Sequence, residues 1–126
     1  MKIRVYYEDT DMGGVVYHSN YLNFCERARS EAFFEKSLTP VLQNGHFVAR
    51  KISADFYSSA KLGDLLEVTT EVLSIKAASF SLKQTIYKEE KKIFELEILL
   101  VYIDFEGRAQ RLDKTSKDLV LSLFEG

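Results

Sequence analysis

The sequence predicts an α+β fold in which an antiparallel β-sheet wraps the apolar face of one long central helix. Three observations predict it. Between residues 20 and 35, Tyr21, Phe24, Cys25, Ala28 and Ala32 recur at steps of three and four, which places them on one helical face. Downstream, the apolar period changes to two over several segments, the period of half-buried strands. Short turn signals separate those segments at hairpin spacing. A helix of about 15 residues is roughly 22 Å long, a length that a curved sheet can cover.

The elements follow in order. Ile3, Val5 and Tyr7 alternate with Arg4 and Tyr6, as in a short strand. An acidic, glycine-rich segment at 8–14 leads into the helix, where Ser19 or Asn20 can cap the N-terminus. Glu26 and Arg29 are three apart and can pair across one turn. Thr39-Pro40 opens a short helical turn that Gly45 ends. Residues 46–57 form a strand. Leu66, Val68, Thr70 and Val72 line one face of the next, and Phe80, Leu82 and Ile86 one face of another. Phe94, Leu96, Ile98, Leu100 and Tyr102 line a long strand whose other face carries Glu95 and Glu97, a solvated side. Gly63-Asp64 and residues 88–91 are turns. Glu106-Gly107 separates the long strand from a short final one, and a last helix at 114–124 buries Leu119, Val120, Leu123 and Phe124.

The chain of 126 residues is expected to be one domain over 1–126, since one proline and six glycines leave no linker. At 46% hydrophobic and 29% charged it is ordinary globular material. A net charge of -2 gives no reason to expect nucleic acid or an anionic membrane as partner. One cysteine, Cys25, excludes an intrachain disulfide and a cysteine-rich metal site, and suits a reducing compartment. The opening MKIRVYYED has no apolar stretch of the signal-peptide kind, and the longest apolar run, at 98–103, is too short for a transmembrane segment. A cytoplasmic protein is expected.

The chemistry concentrates between Tyr6 and Tyr21, in Tyr-Tyr-Glu-Asp-Thr-Asp-Met-Gly-Gly-Val-Val-Tyr-His-Ser-Asn-Tyr. Carboxylates end a strand. Two glycines let backbone approach a ligand closely. A helix N-terminus follows, where unpaired N–H groups and the dipole favour negative charge. A carboxylate facing such amides suits attack on a carbonyl, with the amides holding the oxyanion. The plainer alternative is a solvated acidic loop. Cys25 sits mid-helix among apolar neighbours, where a thiol packs rather than reacts. Asp9, Asp11 and His18 lack metal-ligand spacing, so neither a metal nor a cofactor is expected.

The same segment resembles the signature of the 4-hydroxybenzoyl-CoA thioesterase family of hotdog proteins, and within it the YbgC-type group encoded with the Tol-Pal envelope system. That signature runs Tyr-Tyr-Glu-Asp-Thr-Asp, one variable residue, Gly-Gly-Val-Val-Tyr-His, two variable residues and Tyr, then Glu-Arg-Ala-Arg, here Glu26-Arg27-Ala28-Arg29. One position departs: Ser59 stands where the family usually has proline, which bears on the rigidity of the 58–64 loop.

The resemblance implies a hotdog acyl-CoA thioesterase. Asp11 would be the catalytic carboxylate, attacking the thioester carbonyl or activating water. The backbone N–H of His18, seven residues on, would hold the oxyanion. The His18 side chain would assist, since an imidazole can exchange a proton around neutrality. Gly13, Gly14 and Tyr17 would shape the substrate pocket, and Asp9 would make loop hydrogen bonds. Lys61, Arg108 and Arg111 are candidates for the phosphates of CoA. A homodimer is the minimal unit and a homotetramer is common, with the active site at the subunit boundary. Acyl carrier protein is a second carrier to consider. Two rivals stand: a hotdog hydratase or dehydratase, whose Asp-x-x-x-x-His spacing differs from that of Asp11 and His18, and a non-enzymatic module binding acyl carrier protein or envelope-linked partners.

Overall fold

The computed structural model describes residues 1–124. Five strands form one antiparallel sheet: β1 (Lys2–Arg4), β2 (His46–Phe56), β3 (Leu65–Ile75), β4 (Ser79–Lys88) and β5 (Lys91–Ile103), in the order β1-β3-β4-β5-β2. Helix α1 (His18–Phe34) lies on one face of the sheet, and α2 (Lys114–Phe124) packs beside its C-terminal half. Among the described residues no helix is long and apolar enough to cross a membrane.

The strand faces read from the sequence hold. Phe94, Leu96, Ile98, Leu100 and Tyr102 of β5 are all buried, as are Phe80, Leu82 and Ile86 of β4. Helix α1 presents Tyr21, Phe24, Cys25, Ala28 and Phe33 to this face. The Tyr21 ring stacks on Phe94 at 5.2 Å between centroids and meets Phe56 edge-on at 5.8 Å. One polar side chain interrupts the apolar wall. Gln84 is fully buried, and its amide nitrogen donates to the Cys25 carbonyl at 2.9 Å and to Thr70 Oγ1 at 3.1 Å. Its oxygen accepts from Arg29 Nη1 at 2.8 Å. Every polar atom of the amide is thereby met, as burial requires.

Five local expectations fail, each for a visible reason. Tyr7 does not continue the first strand: the chain turns into a short 3₁₀ segment (Tyr7–Asp9), closed by the Thr10 hydroxyl on the Tyr7 carbonyl at 2.8 Å, and Tyr7 is 83% exposed. Neither Ser19 nor Asn20 caps α1, which begins two residues earlier than expected, behind an extended Tyr17. Asn20 instead donates its side-chain amide to the Asp9 carbonyl at 2.9 Å. Residues 39–45 are not helical, because Val41 bridges His46 and the Leu42 N–H donates to the Gly45 carbonyl at 2.8 Å. The Glu26–Arg29 pair does not form: Arg29 reaches across to Gln84, and Glu26 accepts from Ser30 Oγ at 2.7 Å. The short final strand reduces to one bridge, Ile103 to Ala109, because the Asp104 carboxylate gathers the N–H groups of Glu106 and Arg108 into a tight loop.

The loop containing Ser59 is held without a proline. The N–H groups of Tyr57 and Ser58 both donate to the Ile93 carbonyl, Val16 N–H donates to the Ala60 carbonyl at 2.9 Å, and Ala60 N–H donates to the Tyr21 hydroxyl at 3.0 Å.

Candidate active site

The acidic segment folds into a small hairpin standing on the start of α1. Asp9 is its base. Its side chain is 5% exposed and accepts the Tyr6 N–H at 2.9 Å, while its carbonyl accepts both the Tyr17 N–H and the Asn20 amide. Asp9 belongs to the 3₁₀ turn, so it and Asp11 do not project from one extended segment. Its loop hydrogen bonds match the sequence reading. Thr10 bridges Val16, Asp11 N–H donates to the Val15 carbonyl at 2.9 Å, and Gly14 N–H donates back to the Asp11 carbonyl at 3.0 Å. This closure needs a left-handed residue at position 14, and Gly14 supplies it with φ of 80°.

Asp11 therefore sits at the hairpin tip. Its Oδ1 accepts the Gly13 N–H at 2.8 Å, and among the described residues no donor meets its Oδ2. A cleft of about 770 Å³ opens beside it, walled by Asp11, Gly14 and Tyr17. Tyr7, Met12 and Leu62 add an apolar rim. Asn20, in the first turn of α1, completes the floor, so the cleft lies between the carboxylate and the helix start. The His18 N–H has no acceptor among the described residues. It belongs to the positive end of a helix of 17 residues.

The structure thus gathers Asp11, Gly14 and Tyr17 on one cleft. Gly13 orients the carboxylate from behind. The His18 ring packs on Tyr17 at 4.3 Å between centroids, outside the cleft wall. Lys61 approaches through its backbone, by a bridge to Val15 and an N–H bond to Asp64 Oδ2 at 2.8 Å, but its side chain is not part of the wall. Arg108 is engaged elsewhere, paired with Asp104 and Glu106. Sequence reasoning missed Tyr7, Met12 and Leu62 as rim residues. Tyr7 and Met12 lie inside the motif, but Leu62 comes from a distant loop, joined to the hairpin by the Val15–Lys61 bridge and the Val16–Ala60 hydrogen bond.

Burial governs the ionisable groups under the cleft. It pushes the Cys25 thiol up to about 12, against a smaller opposing pull from Arg29. Burial also raises Tyr21; the Ala60 N–H opposes this, and the Asp11 and Asp64 carboxylates reinforce it. Cys25 is a packed thiol and not a poised nucleophile.

The thioesterase superfamily matches residues 13–95, beginning just past Asp11. The chain is 52% identical over 87 residues to the acyl-CoA thioesterase YbgC of Helicobacter pylori, across 69% of this chain and 65% of that protein. That match spans just under two thirds of the relative's length. It is 42% identical over 108 residues to the acyl-CoA thioester hydrolase YbgC of Escherichia coli O6:H1, across 81% of this chain and 79% of that protein. Among solved structures, a probable thioesterase from Bartonella henselae superposes with a TM-score of 0.84 at 31% identity, covering 90% of this chain and 97% of that one. The matched segment takes in all of α1 and the strands β2 to β4 that wrap it, and by that match the chain belongs to the thioesterase superfamily and carries its hotdog fold.

Proposed function

We propose that this chain is an acyl-CoA thioesterase, one domain that hydrolyses the thioester to a free acid and a thiol. The observation that carries the reading is the Asp11 carboxylate, held by the Gly13 N–H on a cleft whose wall also takes in Tyr17 and Asn20, the residue just before α1 and one in its first turn. The names of the relatives, acyl-CoA thioesterase and thioester hydrolase, support the same reaction.

In the general-base form, Asp11 takes a proton from water and the hydroxide adds to the carbonyl carbon. The new oxyanion accepts the His18 N–H, the C–S bond breaks, and the thiolate leaves with a proton. In the nucleophilic form, Asp11 itself adds to the carbonyl, a mixed anhydride forms as thiolate departs, and water cleaves the anhydride. Preorganised amides lower the barrier in both. Gly13, Gly14 and Tyr17 shape the pocket, the His18 side chain assists, and Lys61 meets the phosphates of CoA. Acyl carrier protein is the second carrier for the same thioester.

The assembly we infer is a homodimer, with a tetramer as the pair of dimers. Among the described residues no strand lies beside the outer edge of β2, and Ile52 and Phe56 on it, with Tyr57 just past its end, are exposed. An open edge of 11 residues is an invitation to pair with a second copy. The fully exposed Met12 on the cleft rim fits a site that a partner covers. A buried free thiol supports a reducing, cytoplasmic setting.

Thiol release from a panel of acyl-CoAs, with the same acyl groups on acyl carrier protein, tests the activity. The wild-type protein is expected to release thiol. Asp11→Asn is expected to lose about a hundred- to ten-thousand-fold in kcat, the range of acid–base catalysis. Hydration of an enoyl-CoA without thiol release, or an Asp11→Asn rate equal to wild type, overturns the reading. A single turnover in ¹⁸O-water that labels Asp11 establishes the nucleophilic form with water opening the anhydride at the Asp11 carbonyl, since the general-base form places the label only in the product acid.

A further inference from the structure

A second, smaller chamber of about 140 Å³ lies beneath the C-terminal half of α1. Its walls include Phe47 of β2, Phe80 of β4, Leu100 of β5 and Phe124 of α2. It shares no wall residue with the Asp11 cleft. Arg29 lies eleven positions after His18 on the helix, roughly 17 Å along the axis.

Arg29 stands in this apolar wall. Its guanidinium carries five N–H donors. Among the described residues its one hydrogen bond is to Gln84, a neutral group that spends its own amide nitrogen on Cys25 and Thr70. No carboxylate among the described residues lies within ion-pair distance of it. Glu26 also reaches the chamber, but it is exposed and its Oε1 is occupied by Ser30 Oγ. Arg29 is half-buried, and burial drives its guanidinium down from its ordinary value, against smaller raising contributions from Cys25 and Glu26. A partly desolvated cation that meets one neutral acceptor gains from an added anion, whose charge offsets the desolvation cost.

We propose that this chamber binds a small apolar carboxylate, its head group pairing with Arg29 and its hydrocarbon part resting on Phe47, Phe80 and Leu100. The size fits: an apolar cavity of about 150 Å³ takes up benzene. A single aromatic ring or a short alkyl chain fills the space, and a long acyl chain does not. The planar guanidinium fork matches a carboxylate in two-point fashion, which a neutral amide cannot reproduce.

The test uses the wild-type protein, ¹⁵N-labelled and titrated with sodium benzoate and, separately, with benzamide. Benzoate is expected to shift the Arg29 Nε–H resonance and the backbone amides of Phe47 and Phe80 along a saturable curve. Benzamide is expected to bind at least about tenfold more weakly, the effect of losing a charge-assisted pair. Arg29→Lys keeps the charge but loses the fork, and is expected to weaken benzoate by a similar factor. If that variant does not fold, the comparison of the two ligands on wild type still decides. Equal binding of benzoate and benzamide, shifts centred on residues 11–20, or no saturable shift overturns the proposal.

Discussion

The Gly13 N–H donates to Asp11 Oδ1 at 2.8 Å, so the residue two positions downstream aims the carboxylate. A Cβ at position 13 would stand 3.2 Å from that same oxygen, closer than ordinary contact. The backbone at Gly13 is not left-handed, so alanine is tolerated by the fold, and the exposed carboxylate gives way instead. Gly13→Ala is expected to lower kcat for thioester cleavage about three- to tenfold, since even small misplacements of reacting groups are costly. Stability should stay within about 0.5 kcal/mol, as for most surface substitutions. Steady-state thiol release and thermal unfolding check both. An unchanged kcat would show that this hydrogen bond does not aim the reacting group.

Cys25 is fully buried, and burial pushes its thiol up to about 12. At neutral pH it is a neutral packing group. Cys25→Ala is expected to retain kcat within about twofold and to lose about 1 kcal/mol of stability, the smaller end of core truncations. In the native protein the thiol should resist a disulfide exchange reagent until denaturant is added. Rapid native labelling coupled to loss of activity would reinstate a cysteine mechanism.

How far the sequence could be read follows from the range of the interactions. Alternation in β4 and β5 was legible because each strand has one buried face, and a shift of one residue would exchange the faces. The burial of Phe94 and Leu96 beside half-buried Glu95 is the result. Asp11, Gly14 and Tyr17 were legible as a group because they fall within one short motif that closes on itself. Leu62 was not, since it reaches the cleft through a bridge between distant segments. The Glu26–Arg29 reading failed for the same reason. Helical spacing permits the pair, but Gln84, 55 residues away, competes for the guanidinium and wins.

Asp64 and Lys88 form an ion pair at 2.9 Å that fastens the turn after Gly63 to the end of β4. Partial burial pushes the Asp64 carboxyl up, but the Lys61 N–H and the Lys88 ammonium outweigh it and hold the group below its ordinary range. The hydrogen bond to Asp64 holds Lys88 above its own. A carboxyl lowered on folding adds stability above its unfolded pKa, and that stability fades as pH falls through the folded value. A raised ammonium adds stability below its unfolded pKa, lost as pH rises through the folded value. Asp64→Asn is therefore expected to melt lower than wild type near pH 7. The gap should close in acid below roughly 3.9, the usual aspartate value, and narrow in alkali above about 10.4. Melting temperatures of both proteins across pH give the answer. A gap that is constant with pH would assign the effect to packing instead.

Glu89 and Glu90 both adopt left-handed backbone, with φ of 50° and 69°, in the two-residue turn that joins β4 to β5. Such mirror-image turns match the right-handed twist of the flanking strands, which explains why the hairpin uses one. They suit asparagine and glycine, because a Cβ crowds the following carbonyl in this region at about 1–2 kcal/mol per residue. Nothing packs over the turn to repay that strain: both glutamates are exposed. Glu90→Gly is thus expected to stabilise the protein, by about 0.5–1 kcal/mol once the greater freedom of glycine in the unfolded chain is set against the relieved strain. Urea unfolding should show a higher midpoint with an unchanged slope, because the surface exposed on unfolding is the same. A lower midpoint would mean that the two acids contribute more through the neighbouring Lys88 and Lys91 than their backbone geometry costs.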